Sequence, residues 1–207
     1  MFTDIIWDFD GTLFDTYPSM TNALKKALKD YGVEETEQNI LQYMKISLSE
    51  AIKYYTNAYG LDDKLIDKYR GYEDITPAQF AKPFPYAKDI CKVIKDSGRH
   101  NFILTHRGGS TLKYLKAYGM ESFFQEIVTK HNGFKRKPDP EGYLYLLNKY
   151  HIDKKNALIV GDRDIEILAG REAGIKVCLY DTNKVSCREN PDFIINSLKE
   201  LSDIIFD

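Results

Sequence analysis

Apolar positions along the chain change their spacing twice, and the changes divide it into segments. The first stretch, Phe2-Thr3-Asp4-Ile5-Ile6-Trp7-Asp8-Phe9, is β-branched and aromatic and stops at Asp10-Gly11. This predicts a short buried strand followed by a turn. From Pro18 the spacing becomes helical: Met20, Ala23, Leu24, Ala27, Leu28 and Tyr31 recur on one face, and Gly32 closes the segment. Ser47 with Glu50 predicts a capped helix start, followed by Leu48, Ala51, Ile52, Tyr55 and Tyr59 on one stripe. A third helical pattern follows Asp62, with Leu65, Ile66 and Tyr69. Residues 16–80 therefore read as helix without a strand.

After Pro77, Pro83 and Pro85 the pattern changes again. Helices expected near 86–97, 109–118, 139–150 and 165–173 alternate with short apolar strands at 101–105, 126–129, 157–161, 176–180 and 193–196. Such alternation predicts an α/β fold, a Rossmann-like parallel sheet with helices on both faces. The N-terminal strand needs partners, and only the later block offers them. The expected organisation is an α/β core of 1–15 and 81–207, interrupted by an all-helical insertion at 16–80.

Composition narrows the function. The 207 residues carry a formal net charge of -2, with 43% hydrophobic and 29% charged residues. That balance favours neither nucleic acid nor an anionic membrane, so an anionic ligand needs a local site. No apolar run is long enough to span a bilayer, and Asp4, Asp8 and Asp10 interrupt the first apolar stretch, unlike a secretory leader. Cys91, Cys178 and Cys187 are odd in number and widely spaced. They read as reduced thiols, and the expected location is the cytoplasm. Nothing in the sequence speaks to oligomeric state.

Ligands of open parallel sheets bind beyond the carboxyl ends of the strands. The first strand is followed by Asp8, Asp10, Gly11, Thr12 and Asp15, and the second ends in Thr105-His106-Arg107-Gly108-Gly109. The third leads to Lys135-Arg136-Lys137-Pro138, and the fourth delivers Gly161-Asp162-Arg163-Asp164-Ile165-Glu166. One edge thus gathers carboxylates, a hydroxyl and a lysine. Clustered carboxylates repel unless they share a cation, and an oxygen-only set facing a phosphate suits Mg²⁺. A lysine, Thr105 and backbone N–H groups of Gly11 and Thr12 could bind the phosphate. An aspartate nucleophile would split hydrolysis into two steps, with a second carboxylate moving the protons.

These four segments, in this order, resemble the haloacid dehalogenase superfamily of aspartate-nucleophile phosphatases. The resemblance covers essentially the whole chain, and the insertion at 16–80 is similar to the small helical cap of the superfamily's first subclass. Asp8-Phe9-Asp10-Gly11-Thr12-Leu13-Phe14-Asp15 matches the first motif, Thr105 the second, Lys137 the third, and Gly161-Asp162 with Glu166 the fourth. The resemblance implies that Asp8 is nucleophile and Mg²⁺ ligand. It implies that Asp10 is the general acid/base and lends the metal its backbone carbonyl. Asp162 would be the remaining direct carboxylate ligand, with Glu166 in or beside the ligand set where many relatives carry Asp. Thr105 and Lys137 would bind phosphate. Branches of the family that cleave carbon–halogen or carbon–phosphorus bonds replace the second aspartate, so Asp10 favours ester hydrolysis.

Plainer readings compete. Thr105 alone is an ordinary strand-end residue, Lys137 shares a basic run with Lys135 and Arg136, and Asp162 and Glu166 suit any helix N-terminus. Asp164 reads as a helix-start charge. His106 and Arg107 could reach substrate or stand on a solvated loop. The insertion's tyrosines read as packing residues, and His100, His131 and His151 as surface residues. The leading expectation is a phosphatase for a small phosphomonoester. A β-phosphoglucomutase-like mutase stands second, weakened because only Lys45 is cationic near Lys45–Glu50. A catalytically idle binding protein of the same fold stands third. Neither a glycine-rich dinucleotide fingerprint nor a GxxxxGK[ST] loop is present.

Overall fold

The structure is a computed structural model that describes residues 1–77, 80–181 and 189–206. The chain forms two compact units, Met1–Phe14 with Pro83–Asp207, and Asp15–Lys82.

The larger unit is built on a parallel sheet of β1 (Asp4–Trp7), β4 (His100–Leu104), β5 (Phe124–Val128), β6 (Ala157–Gly161), β7 (Lys176–Tyr180) and β8 (Phe193–Ile195). The strand order is β5-β4-β1-β6-β7-β8, and each neighbouring pair runs parallel. β1 lies between β4 and β6, with Ile6 level with Phe102 and Ile159. All four residues of β1 are buried, which is why Ile5, Ile6 and Trp7 follow one another without polar alternation. Side chains still alternate between the faces. Ile6, Phe102, Leu104, Ile159 and Val177 share a core with Tyr143 and Leu146 of α7 (Glu141–Tyr150) and Ile167 and Ala173 of α8 (Asp164–Ala173). On the opposite face Trp7 Nε1 donates to Asn101 Oδ1 at 2.9 Å, and Asn101 Nδ2 donates to the Cys91 carbonyl of α5 (Ala87–Asp96) at 2.8 Å. The unit also contains α6 (Ser110–Ala117) and α9 (Leu201–Phe206).

The smaller unit holds α1 (Tyr17–Lys29), α2 (Glu37–Ile46), α3 (Leu48–Tyr59) and α4 (Leu65–Ile75). The chain leaves the larger unit along β2 (Phe14–Asp15) and returns along β3 (Lys82–Pro83), and these two short strands pair. Met20, Leu24, Ile40, Met44, Tyr55, Leu65 and Tyr69 form its core. Tyr55 and Tyr69 are fully buried, and Tyr43 stacks on Tyr54 with centroids 3.8 Å apart, so these tyrosines act largely as packing residues.

Helical spacing did not single out α2. Only Ile40 and Met44 of its ten residues are buried, too few for a stripe. Its start is marked instead by Thr36, whose side chain accepts from Asn39 N–H. Ser47 ends α2 and caps α3, its Oγ accepting from Glu50 N–H at 3.0 Å. α4 begins at Leu65, because Asp62 Oδ1 is held by Lys64 N–H at 3.1 Å in the turn before it.

Cys91 and Cys178 are buried and unpaired in any disulfide, whereas Cys187 lies outside the described residues. His100, His131 and His151 are exposed. Among the described residues no helix is long and apolar enough to cross a membrane.

Candidate active site

Asp8 extends β1 by one residue: its N–H donates to the Val160 carbonyl at 2.9 Å, which fixes it at the carboxyl edge beside β6. The chain then turns sharply. Leu13 and Phe14 N–H both donate to the Phe9 carbonyl, at 3.1 and 3.0 Å, and Gly11 adopts φ 79°. That left-handed conformation suits glycine. Phe9 and Phe14 stack at 4.7 Å and anchor the turn from below. The turn consumes the amides expected to bind phosphate: Gly11 N–H donates to the Phe14 carbonyl at 2.9 Å, and Thr12 N–H to that of Phe9 at 3.4 Å. Thr12 is fully buried. The amide turned toward the carboxylate of Asp8 is that of Phe9.

Lys137 reaches the same point from the loop before α7. Its Nζ donates to Asp8 Oδ1 at 2.8 Å, to Glu166 Oε1 at 2.9 Å and to the Leu104 carbonyl at 3.1 Å. All three ammonium donors are thereby matched with acceptors. The side chain is 1% exposed, against 2% for Asp8 and 0% for Glu166. A buried charge is tolerated only when paired in this way. Lys135 and Arg136, its neighbours in the basic run, are exposed.

Asp162 follows β6 directly, and Glu166 is in the first turn of α8. Carboxylate oxygens of Asp8, Asp162 and Glu166 lie within 4.8 Å of one another. Gly161 makes room for the longer side chain: a Cβ there would stand 2.3 Å from Glu166 Cγ. Glu166 Oε2 is buried without a hydrogen-bond partner. An orphaned carboxylate oxygen is costly unless something positive sits beside it. The three carboxylates fit a hard divalent cation of the Mg²⁺ type, which prefers oxygen donors.

Arg163, between Asp162 and Asp164, carries no assigned role in the sequence. It precedes α8 in an extended conformation. Its NH2 lies 3.4 Å from Asp8 Oδ2 and 3.6 Å from Glu166 Oε1, and its Nε lies 3.4 Å from Asp162 Oδ1. The usable signal was its place directly after the acidic strand end. Asp164, by contrast, accepts from Glu189 N–H at 3.4 Å and takes no part in the cluster.

These charges act on one another. Burial pushes the Asp8 carboxyl up, but the Lys137 and Arg163 cations and the bonds from Lys137 and Phe9 outweigh it, and its pKa ends below the ordinary value. Lys137 shows the converse: burial opposes its charge, Asp8 and Glu166 more than compensate, and it is held protonated.

Thr105 stands one residue beyond β4, buried, with its N–H on the Val128 carbonyl at 3.0 Å. Its Oγ1 accepts from Arg107 N–H at 3.1 Å. The two residues after it turn inward. His106 Nε2 accepts from the backbone N–H of Lys137 at 2.8 Å, so the ring carries its proton on Nδ1. Burial, then the Lys137 and Arg136 charges, push its pKa down to about 3, so it is neutral at physiological pH. Arg107 Nε donates to Asp10 Oδ1 at 2.7 Å.

Fold and site together define a class: parallel α/β proteins with a buried aspartate after the first strand, tied to a lysine and flanked by acids able to share a cation. Within that class the chain belongs to the haloacid dehalogenase-like hydrolase family, whose model matches residues 5–180. It is 28% identical over 204 residues to a phosphoglycolate phosphatase of Aquifex aeolicus, covering 95% of this chain and 93% of that protein. It is 27% identical over 207 residues to the pyrophosphatase PpaX of Bacillus pumilus, covering 97% and 95%. The crystal structure of a hydrolase from Streptococcus pneumoniae TIGR4 matches with a TM-score of 0.67 and 30% identity, covering 100% and 99% of the two chains.

Proposed function

We propose that the protein is a Mg²⁺-dependent phosphatase that hydrolyses a small-molecule phosphomonoester through an aspartyl-phosphate on Asp8. The observation that carries this reading is the buried Asp8–Lys137–Glu166 bridge at 2.8 and 2.9 Å, with Asp162 completing the carboxylate cluster. The names of the relatives, a phosphoglycolate phosphatase and a pyrophosphatase, support phosphate as the group transferred.

Asp8, Asp162 and Glu166 would hold the cation, with the Asp10 backbone carbonyl beside them. When bound, the cation offsets phosphate charge that would otherwise repel the nucleophile. Asp8, kept ionised by Lys137 and Arg163, attacks phosphorus and displaces the ester oxygen. Asp10 protonates that oxygen as the P–O bond breaks. It then takes a proton from water as the water attacks the aspartyl-phosphate, which releases phosphate and regenerates Asp8. Lys137 supplies positive charge to the transferring group. The Thr105 hydroxyl, which accepts from Arg107 N–H, would donate a hydrogen bond through its own O–H to a phosphate oxygen.

The test is phosphate release from p-nitrophenyl phosphate, phosphoglycolate, sugar phosphates and inorganic pyrophosphate, each with Mg²⁺ and with EDTA. Turnover should require the metal and vanish in Asp8→Asn. Full activity of Asp8→Asn without metal would sink the mechanism, and silence across the panel would favour a binding protein of this fold.

A further inference from the structure

Arg107 reads in the sequence as a possible substrate contact, yet its charged end is committed elsewhere. Its side chain is 3% exposed. Nε donates to Asp10 Oδ1 at 2.7 Å, one NH1 bond reaches Ser110 Oγ at 3.0 Å, and the guanidinium lies 5.3 Å from the Tyr114 ring centre. The backbone is held as firmly, with N–H on Thr105 Oγ1 at 3.1 Å and the carbonyl accepting from Lys130 N–H at 3.1 Å. An arginine fixed at this many points loses little further freedom in making each bond.

Asp10 differs from Asp8 in what holds it. Asp8 is built into the edge of the sheet by its own N–H, whereas Asp10 lies past the ladder, in the turn around Gly11. A carboxyl group that passes a proton to a leaving oxygen must sit within hydrogen-bond reach of it. Small misplacements of reacting groups cost large factors in rate.

We propose that Arg107 is the positioning residue for Asp10. It fixes Oδ1 so that the carboxyl group meets the leaving oxygen in one orientation, and it does so without touching the transferred phosphate. The proposal rests on the role given above to Asp10. It assigns Arg107 to the protonation of the leaving group, and therefore to the hydrolysis of poor leaving groups such as alkyl phosphates. Cleavage of aryl phosphates and phosphoanhydrides depends on it less, since those leaving groups depart with little help.

The test compares p-nitrophenyl phosphate with an alkyl phosphate such as glycerol phosphate, in Mg²⁺, on the same preparation of each variant. The ratio of the two kcat values does not depend on how much of the protein has folded. General acid catalysis is worth about a hundredfold or more. Asp10→Asn should therefore lower the alkyl rate at least about a hundredfold more than the aryl rate. Arg107→Ala should shift the ratio in the same direction by about tenfold, from partial misplacement of the acid. Arg107→Lys, which keeps the charge and loses the planar fork, should fall between wild type and Arg107→Ala. The double variant Arg107→Ala/Asp10→Asn should show the ratio of Asp10→Asn alone.

Equal losses on both substrates in Arg107→Ala, with the ratio of Asp10→Asn shifted as expected, would overturn the proposal and reduce Arg107 to a structural tie. A further shift of the ratio in the double variant would overturn it as well. An unshifted ratio in Asp10→Asn would refute the acid role of Asp10 itself, a separate failure.

Discussion

Replacing Lys137 by Met tests the electrostatic centre of the site. The side chains are similar in length, so the main loss is the ammonium group and its bonds to Asp8, Glu166 and the Leu104 carbonyl. Two buried carboxylates would then face each other with Arg163 as the nearest cation, at 3.4 and 3.6 Å. Breaking a buried ion pair from one side costs roughly 3–5 kcal/mol. Arg163 offsets part of this, so about 3 kcal/mol is expected at pH 8 without metal. For a chain of 207 residues that is a fall in melting temperature of about 6–12 °C.

The pH dependence has a definite sign. In the wild type, Lys137 has its pKa raised above the ordinary 10.5, so its contribution is fully present below that value and is lost only as pH climbs beyond it. Asp8 has its pKa lowered below 3.8, so its contribution is present above that value and is lost as pH falls through the folded one. Between about pH 5 and 9 neither group changes the stability of the wild type. In Lys137→Met the Asp8 carboxyl loses its nearest cation, its pKa rises, and protonation relieves the repulsion. The stability gap should therefore narrow as pH falls toward 5, and Mg²⁺ at pH 8 should narrow it too. Differential scanning calorimetry across pH, in EDTA and in Mg²⁺, reads all three effects. A variant within about 1 kcal/mol of wild type at pH 8 in EDTA would refute the reasoning.

Three further outcomes are expected. Gly161→Ala places a methyl 2.3 Å from Glu166 Cγ and 2.9 Å from its Cβ, so α8 must shift. We expect about 1–3 kcal/mol of destabilisation and a reduced Mg²⁺-induced rise in melting temperature, and an undiminished rise would show that Glu166 does not help to hold the cation. Asn101→Leu orphans the Trp7 indole N–H, removes the side-chain bond to the Cys91 carbonyl, and should cost roughly 1–3 kcal/mol by urea unfolding. His106, neutral with its pKa pushed down to about 3, should make the protein lose stability as pH falls below about 6.5, where the unfolded chain takes up the proton. The slope is on the order of 1 kcal/mol per pH unit at most, and a urea series should find it flattened in His106→Gln.

Periodicity and strand-end chemistry made much of this protein legible before any coordinates. The buried run around Ile5 and Ile6, the alternation after Pro85 and the charged residues beyond the strand ends were enough to foresee a parallel sheet carrying Asp8, Lys137, Asp162 and Glu166 along one edge. These features are local: a strand buried on both faces must be apolar, and a ligand-bearing residue must follow it. α2 escaped because a helix with two buried residues leaves almost no stripe.

What pairs with what was decided only by the folded chain. Lys137 stands 129 residues from Asp8 in sequence, and Lys135 and Arg136 carry the same charge two residues and one residue before it. Burial selected among them. Gly11 and Thr12 looked like phosphate donors until the turn used their N–H groups on Phe14 and Phe9. Arg107 could have been a substrate contact or a loop charge, and Arg163 carried no assigned role, until the fold removed water from around them and left carboxylates as their partners. The sequence by itself determined which chemical groups stand at the strand ends, because that follows from local pattern. Tertiary structure decided which of them share a charge, because Coulomb energies depend on distance and exclusion of water, and neither is written along the chain.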